Sequence, residues 1–88
     1  MTYFMSLMQT EQLAKTTANQ DTLMELATEH AVIVRVNVAS NANVSKPVIK
    51  HLMKDNNHAV LRAISKNAKV NAFTRIAAFL RAVELKNF

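Results

Sequence analysis

One feature limits the folds open to this chain more than any other: a 26-residue recurrence that puts Asn19, Ser45 and Asn71 in a single register. Each is a short polar residue whose side-chain oxygen accepts from the free N–H groups of a first helical turn, so each marks a helix start. The same shift carries Leu23 onto Ile49, Leu26 onto Leu52, Val34 onto Val60, Val38 onto Ile64, Asn41 onto Asn67 and Val44 onto Val70. A recurrence of this length signals stacked supersecondary units, none able to bury its apolar side alone. The expected fold is all-α, a short helical-repeat solenoid of about three helix-pair units. An opening helix falls in residues 1–18, units in 19–44 and 45–70, and a capping helix in 71–88.

With 88 residues the chain makes one domain, small enough that every unit must contribute to the core. It has no Cys, which removes disulfides, thiolate metal sites and cysteine nucleophiles together. The apolar start, Met1 to Met8, has no basic leader and is shorter than the roughly 20 residues of a membrane span, so a cytoplasmic protein without membrane insertion is expected. Charge is uneven. Through Thr28 one lysine faces three acids; from Glu29 onward ten Lys and Arg face three acids, a balance of +7. The later part therefore attracts acidic protein, nucleic acid or anionic lipid.

Tyr3, Phe4, Leu7 and Met8 have the spacing of one helical side and begin the opening helix. Asn19 caps a second helix through Leu23 and Leu26, with Asp21 and Glu25 near its positive end, ending about Thr28 to His30. In Ala31 to Asn41, local and repeat-level signals disagree. Val32, Val34, Val36 and Val38 alternate as in a strand, but the copy at Ala59 to Asn67 holds Leu61, Arg62, Ala63 and Lys66, which favour a helix. Equivalent units should pack equivalently, so both are read as helices. Asn41 and Asn67 follow them, and with no Gly in the chain they are expected to take the left-handed conformation that ends a helix. Val44 with Ile49 has the spacing of a hydrophobic staple, and Pro47 fits the first turn of the next helix. The last helix, about 72–85, carries Ile76, Phe79, Leu80 and Val83 at clear amphipathic spacing and has Arg75 where earlier units have Leu23 and Ile49. It is read as a cap or a dimer surface, with Phe73 and Phe79 in the core rather than stacking on bases.

Val34-Arg35-Val36-Asn37-Val38-Ala39-Ser40-Asn41, followed by Val44-Ser45-Lys46-Pro47 and Leu52, resembles the variant leucine-rich repeats, relatives in appearance of HEAT-like solenoids. Val60-Leu61-Arg62-Ala63-Ile64-Ser65-Lys66-Asn67 matches the pattern more loosely. The resemblance covers about residues 19 to 80 and implies right-handed stacking of short helices and a binding role. In that pattern Arg35 reaches carbonyls or an acidic group across adjacent units, with Glu11, Glu29 and Asp55 as candidates. The sequence departs from it at Ala42 and Ala68, where Pro often stands, and in the shift of Arg from 35 to 62. The iron–sulfur segment found beside some such repeats needs Cys, so no cofactor transfers. In size, in its many Asn and Lys and in its lack of Gly, the chain also resembles small bacteriophage regulators such as the lysis-inhibition accessory proteins of T-even phages. That resemblance implies a holin's short cytoplasmic segment, or another regulator, as partner.

His51, Asp55 and His58 lie close enough along the chain to suggest zinc, yet lack the compact ligand spacings of metal motifs. They are read as surface residues, and no metal is expected. No nucleophile beside a base and no Gly-rich phosphate loop is visible, so the chain is not expected to be an enzyme. Lys46, Lys50 and Lys54 recur every four residues as one basic stripe, and Arg62, Lys66 and Lys69 form another.

The expected function is a non-catalytic, regulatory or adaptor module binding another protein or peptide. Exposed members of Val32 to Val38 supply an apolar centre, and Arg35, Lys46, Lys50, Lys54, Arg62 and Lys66 a basic rim. Self-association through Tyr3, Phe4, Phe79 and Phe88 is also expected, because a short repeat stack leaves two unpaired apolar ends. The alternative is sequence-tolerant binding of a nucleic-acid backbone by the basic surface.

Overall fold

The computed structural model describes residues 6–87. They form six helices and no strand: α1 (Leu7–Thr16), α2 (Gln20–Leu26), α3 (Val32–Ser40), α4 (Lys46–Leu52), α5 (His58–Lys66) and α6 (Ala72–Lys86). The alternating valines of α3 are helical, as the repeat argues and β-propensity does not. Tertiary burial explains this outcome, since Val34 and Val38 are fully enclosed and their packing offsets the cost of β-branched crowding.

Helices α1, α3 and α5 lie side by side in a row, with α2 and α4 over one side and α6 against α5. The whole measures 36 × 26 × 16 Å. The positions brought together by the 26-residue shift are the interior: Leu23 and Ile49, Leu26 and Leu52, Val34 and Val60, and Val38 and Ile64 are all buried.

Backbone hydrogen bonds recur with the same shift. The amides of Leu23, Ile49 and Arg75 donate to the carbonyls of Asn19, Ser45 and Asn71, each at 3.0 Å. Thr28 to Glu25 and Lys54 to His51 form matching turns, both at 3.1 Å, as do Glu29 to Leu26 and Asp55 to Leu52. The third copy differs at this point. Leu80-Arg81-Ala82 stand where the earlier units have Thr28-Glu29-His30 and Lys54-Asp55-Asn56. Helix formers replace turn residues, so α6 runs on without a break.

Asn41 and Asn67 do not adopt the left-handed conformation expected of them. Both are extended, at φ −68° and −81°, and no described residue has positive φ. Their side chains explain why Asn stands at both places. Asn41 Nδ2 donates to the carbonyls of Ala14 at 2.8 Å and Thr17 at 2.9 Å, at the end of α1. Asn67 Nδ2 donates to Ala39 at 2.9 Å and Asn41 at 3.1 Å, at the end of α3. Each Oδ1 accepts the amide two residues on, from Asn43 and from Lys69. Each buried Asn thus supplies donors to carbonyls at the end of the preceding helix in the row.

The caps divide. Asn19 accepts from the Thr22 amide at 3.0 Å and Asn71 from the Thr74 amide at 2.9 Å, as expected. Ser45 occupies the cap position but makes no capping bond with its side chain. Pro47, second in α4, removes one of the two amides such a side chain reaches. The Ser45 amide is instead accepted by Gln20 Oε1. Ser6 opens α1 in a reciprocal pair with Gln9.

One further expectation fails, and α1 and α6 share the physical reason. Leu7 and Met8 are exposed, and α1 buries Thr10 and Ala14. In α6 the buried residues are Ala78 and Ala82, while Phe73, Ile76, Phe79, Leu80 and Val83 face outward. The placement of Phe73 and Phe79 in the core is therefore incorrect. Both helices turn their small side chains inward, where alanine permits close approach to the neighbouring helix.

Candidate partner-binding surface

The helix row leaves α4 and α6 apart. Between them lies an open groove of about 970 Å³, lined on one wall by Ile49 and Met53 and on the other by Phe73 and Ala77. Val44, the apolar residue before α4, and Val70, before α6, add to the lining. Lys46, Lys50 and Lys69 stand at the same groove, giving an apolar hollow with cations at its edge. A second hollow of about 480 Å³ lies on the other flank of α6, where Arg62, Lys66 and Arg75 meet Ile76 and Phe79. Arg75 is held there, its Nε donating to the Ser65 carbonyl at 3.1 Å.

The sequence-predicted basic residues thus separate into three settings. Lys46 and Lys50 belong to the α4–α6 groove, and Arg62 and Lys66 to the smaller hollow. Lys54 is exposed beyond the end of α4 and lines neither. Lys69 joins the α4 lysines rather than Arg62 and Lys66, because the turn after α5 carries it across to the groove.

Arg35 is committed internally. Its Nε meets Asp55 Oδ2 at 2.7 Å, and its Nη1 donates to the carbonyls of Glu29 at 2.7 Å and His30 at 2.9 Å. It ties the α2–α3 turn to the α4–α5 turn. Asp55 also accepts the Asn57 amide at 2.9 Å. Among the described residues no three His, Cys, Asp or Glu converge as a metal site.

The apolar centre expected from exposed members of Val32 to Val38 is reduced to one residue. Val34 and Val38 are enclosed, Val32 and Val36 half-buried, and only Ile33 of the apolar residues in this run is exposed. Of the residues expected to mediate self-association, Phe79 is exposed, while Tyr3, Phe4 and Phe88 lie outside the described residues. Sequence reasoning missed Phe73 and Arg75 as surface-forming residues, while Ile76 belongs to the amphipathic side read as a cap or a dimer surface. Ala78 and Ala82, small residues on the opposite side of α6, were the available signal.

No family model matches the chain, and no curated protein or solved structure matches it either. Among the described residues, no helix is long and apolar enough to cross a membrane.

Proposed function

We propose that the chain is a non-catalytic helical-repeat module that binds another protein through the α4–α6 groove. The observation that carries this reading is the groove itself: Ile49, Met53, Val70 and Phe73 give it an apolar lining, and Lys46, Lys50 and Lys69 border it. Burial of such a lining drives association, and the cations select an acidic partner and speed its encounter. The partner that fits is a short helix or peptide with one apolar side and acidic flanks.

The recurrence of buried positions, turns and Asn contacts supports reading the helix pairs as stacked units of a solenoid, with right-handed stacking on the strength of the repeat resemblance. On the resemblance to phage lysis-inhibition accessory proteins, the partner is a holin's cytoplasmic segment and the module acts in the cytoplasm. Self-association belongs to the same proposal, since α6 leaves large apolar side chains uncovered.

The test is affinity capture from native cells with the wild-type chain and a Phe73→Ser/Lys50→Glu variant in parallel. A protein retained by the wild type and lost by the variant supports the groove. Equal capture by both removes it. A second reading draws on the smaller hollow, where Phe79 stands beside Arg62, Lys66 and Arg75. An aromatic ring among cations suits a nucleic-acid strand. That reading requires retention of single or double strands at low salt, falling steeply as salt is added.

A further inference from the structure

Phe73, Ile76, Leu80 and Val83 succeed one another along α6 at spacings of three, four and three residues. This is the spacing of the seam residues in a two-helix coiled coil. The four side chains are exposed by 89%, 58%, 57% and 42%, and they lie on the side of the helix opposite the buried Ala78 and Ala82. An amphipathic helix of one domain ordinarily has one apolar side. This one has two, an alanine side against α5 and a larger-residue side that the described residues leave exposed.

We propose that a second copy of this chain covers the outer seam, with the two α6 helices antiparallel about a two-fold axis at the level of Ala78. The inference rests on the self-association proposed above and names its face and orientation. Antiparallel pairing sets Phe73 of each chain against Val83 of the other, and Ile76 against Leu80. Every layer then joins residues of complementary or similar size. A parallel pair would stack Phe73 on Phe73 and leave Val83 facing Val83, crowding one end and underfilling the other.

The flanks agree. Ala72 and Ala77 border the seam at its start, and Glu84 and Lys86 border it near its end. In the antiparallel pair the Lys86 stem of each copy comes within about 3 Å along the axis of Ala72 of the other, on the same flank, where the small side chain leaves it room. Phe79 lies close to the axis, beside its own symmetry mate. The five outward side chains expose on the order of 500 Å² per chain, so the pair removes on the order of 1,000 Å² from water, the lower limit for a specific interface. A reversible dimer at micromolar concentration follows.

Light scattering coupled to size exclusion should give a mass near twice 9.8 kDa for the full chain. Ile76→Glu and Leu80→Glu, each outward and leaving the helical circular dichroism unchanged, should each return the mass of one chain. Because the chain has no Cys, a single spin label at Lys86→Cys reads the orientation. Antiparallel helices hold the labels about 24 Å apart along the axis, from 8 residues on either side of the two-fold at about 1.5 Å each. A separation under about 15 Å means parallel helices and overturns the proposed orientation. A single-chain mass for the wild type overturns self-association itself and leaves the seam to a foreign helix or an anionic lipid surface. A dimer that persists in both Glu variants overturns the assignment to α6 while leaving self-association intact.

Discussion

Replacing Asn67 by Leu is the sharpest perturbation of this fold, because it keeps the branched shape and heavy-atom count of the side chain and exchanges its polar atoms for methyl groups. If the amide at position 67 made no bonds, exchange for a branched apolar side chain would cost only the space its larger methyl groups need. The structure requires a larger cost. Asn67 Nδ2 donates to the carbonyls of Ala39 and Asn41, and its Oδ1 accepts the Lys69 amide at 3.0 Å. Three hydrogen bonds are lost, each worth about 1 kcal/mol net, and carbonyl and amide groups around the site are left without these partners. Gained burial returns part of this, so the expected cost is about 2–4 kcal/mol. A domain of this size has roughly 4–13 kcal/mol in total, which makes the loss large. Urea titration followed by helical circular dichroism measures it, with Asn56→Ala, at an exposed position, as the control expected to stay within about 0.5 kcal/mol. Asn41→Leu should behave like Asn67→Leu, since its side chain makes the matching bonds one unit earlier. A midpoint for Asn67→Leu at or above that of the wild type refutes the reasoning.

Asp55→Ala leaves the partly buried Arg35 guanidinium with carbonyl partners but no counter-charge, and should cost about 1–3 kcal/mol by the same titration. The two cap positions should respond differently: Asn71→Ala loses a bond to Thr74 and about 1 kcal/mol, whereas Ser45→Ala loses no side-chain cap and should change thermal stability little. Phe73→Ser, at a side chain 89% exposed, should leave the urea midpoint within about 0.5 kcal/mol. A large destabilisation there that persists at concentrations too low for self-association would place Phe73 in the core after all.

The sequence makes the helix order legible because two independent signals coincide in it. Polar caps at Asn19 and Asn71 fix starts, and the shift from Val34 to Val60 and from Val38 to Ile64 shows that α3 shares the environment of α5. Without that copy, the valines of α3 read as a strand. Three features stay hidden for physical reasons. Asn41 and Asn67 are flagged as special, but a residue type does not say whether its backbone or its side-chain amide is the part in use; here the amide meets carbonyls 24 to 28 residues earlier. Periodicity shows that α6 has an apolar side but not which way that side faces. The alanines at 78 and 82 decide it, because only small side chains let α6 lie close to α5. The groove depends on α4 and α6 standing apart, a matter of helix direction that no local pattern in Lys46 to Met53 or Ala68 to Ala77 encodes.

The central claim is that the 26-residue recurrence repeats one packing unit, joined to its predecessor each time by a buried asparagine amide. Nuclear magnetic resonance can observe those amides individually, through hydrogen exchange of the side-chain NH2 groups and their couplings across hydrogen bonds. Asn41 and Asn67 should both exchange slowly, the first coupled to the carbonyls of Ala14 and Thr17, the second to those of Ala39 and Asn41. Side-chain amides at 41 and 67 that exchange as fast as that of Asn56 would contradict it.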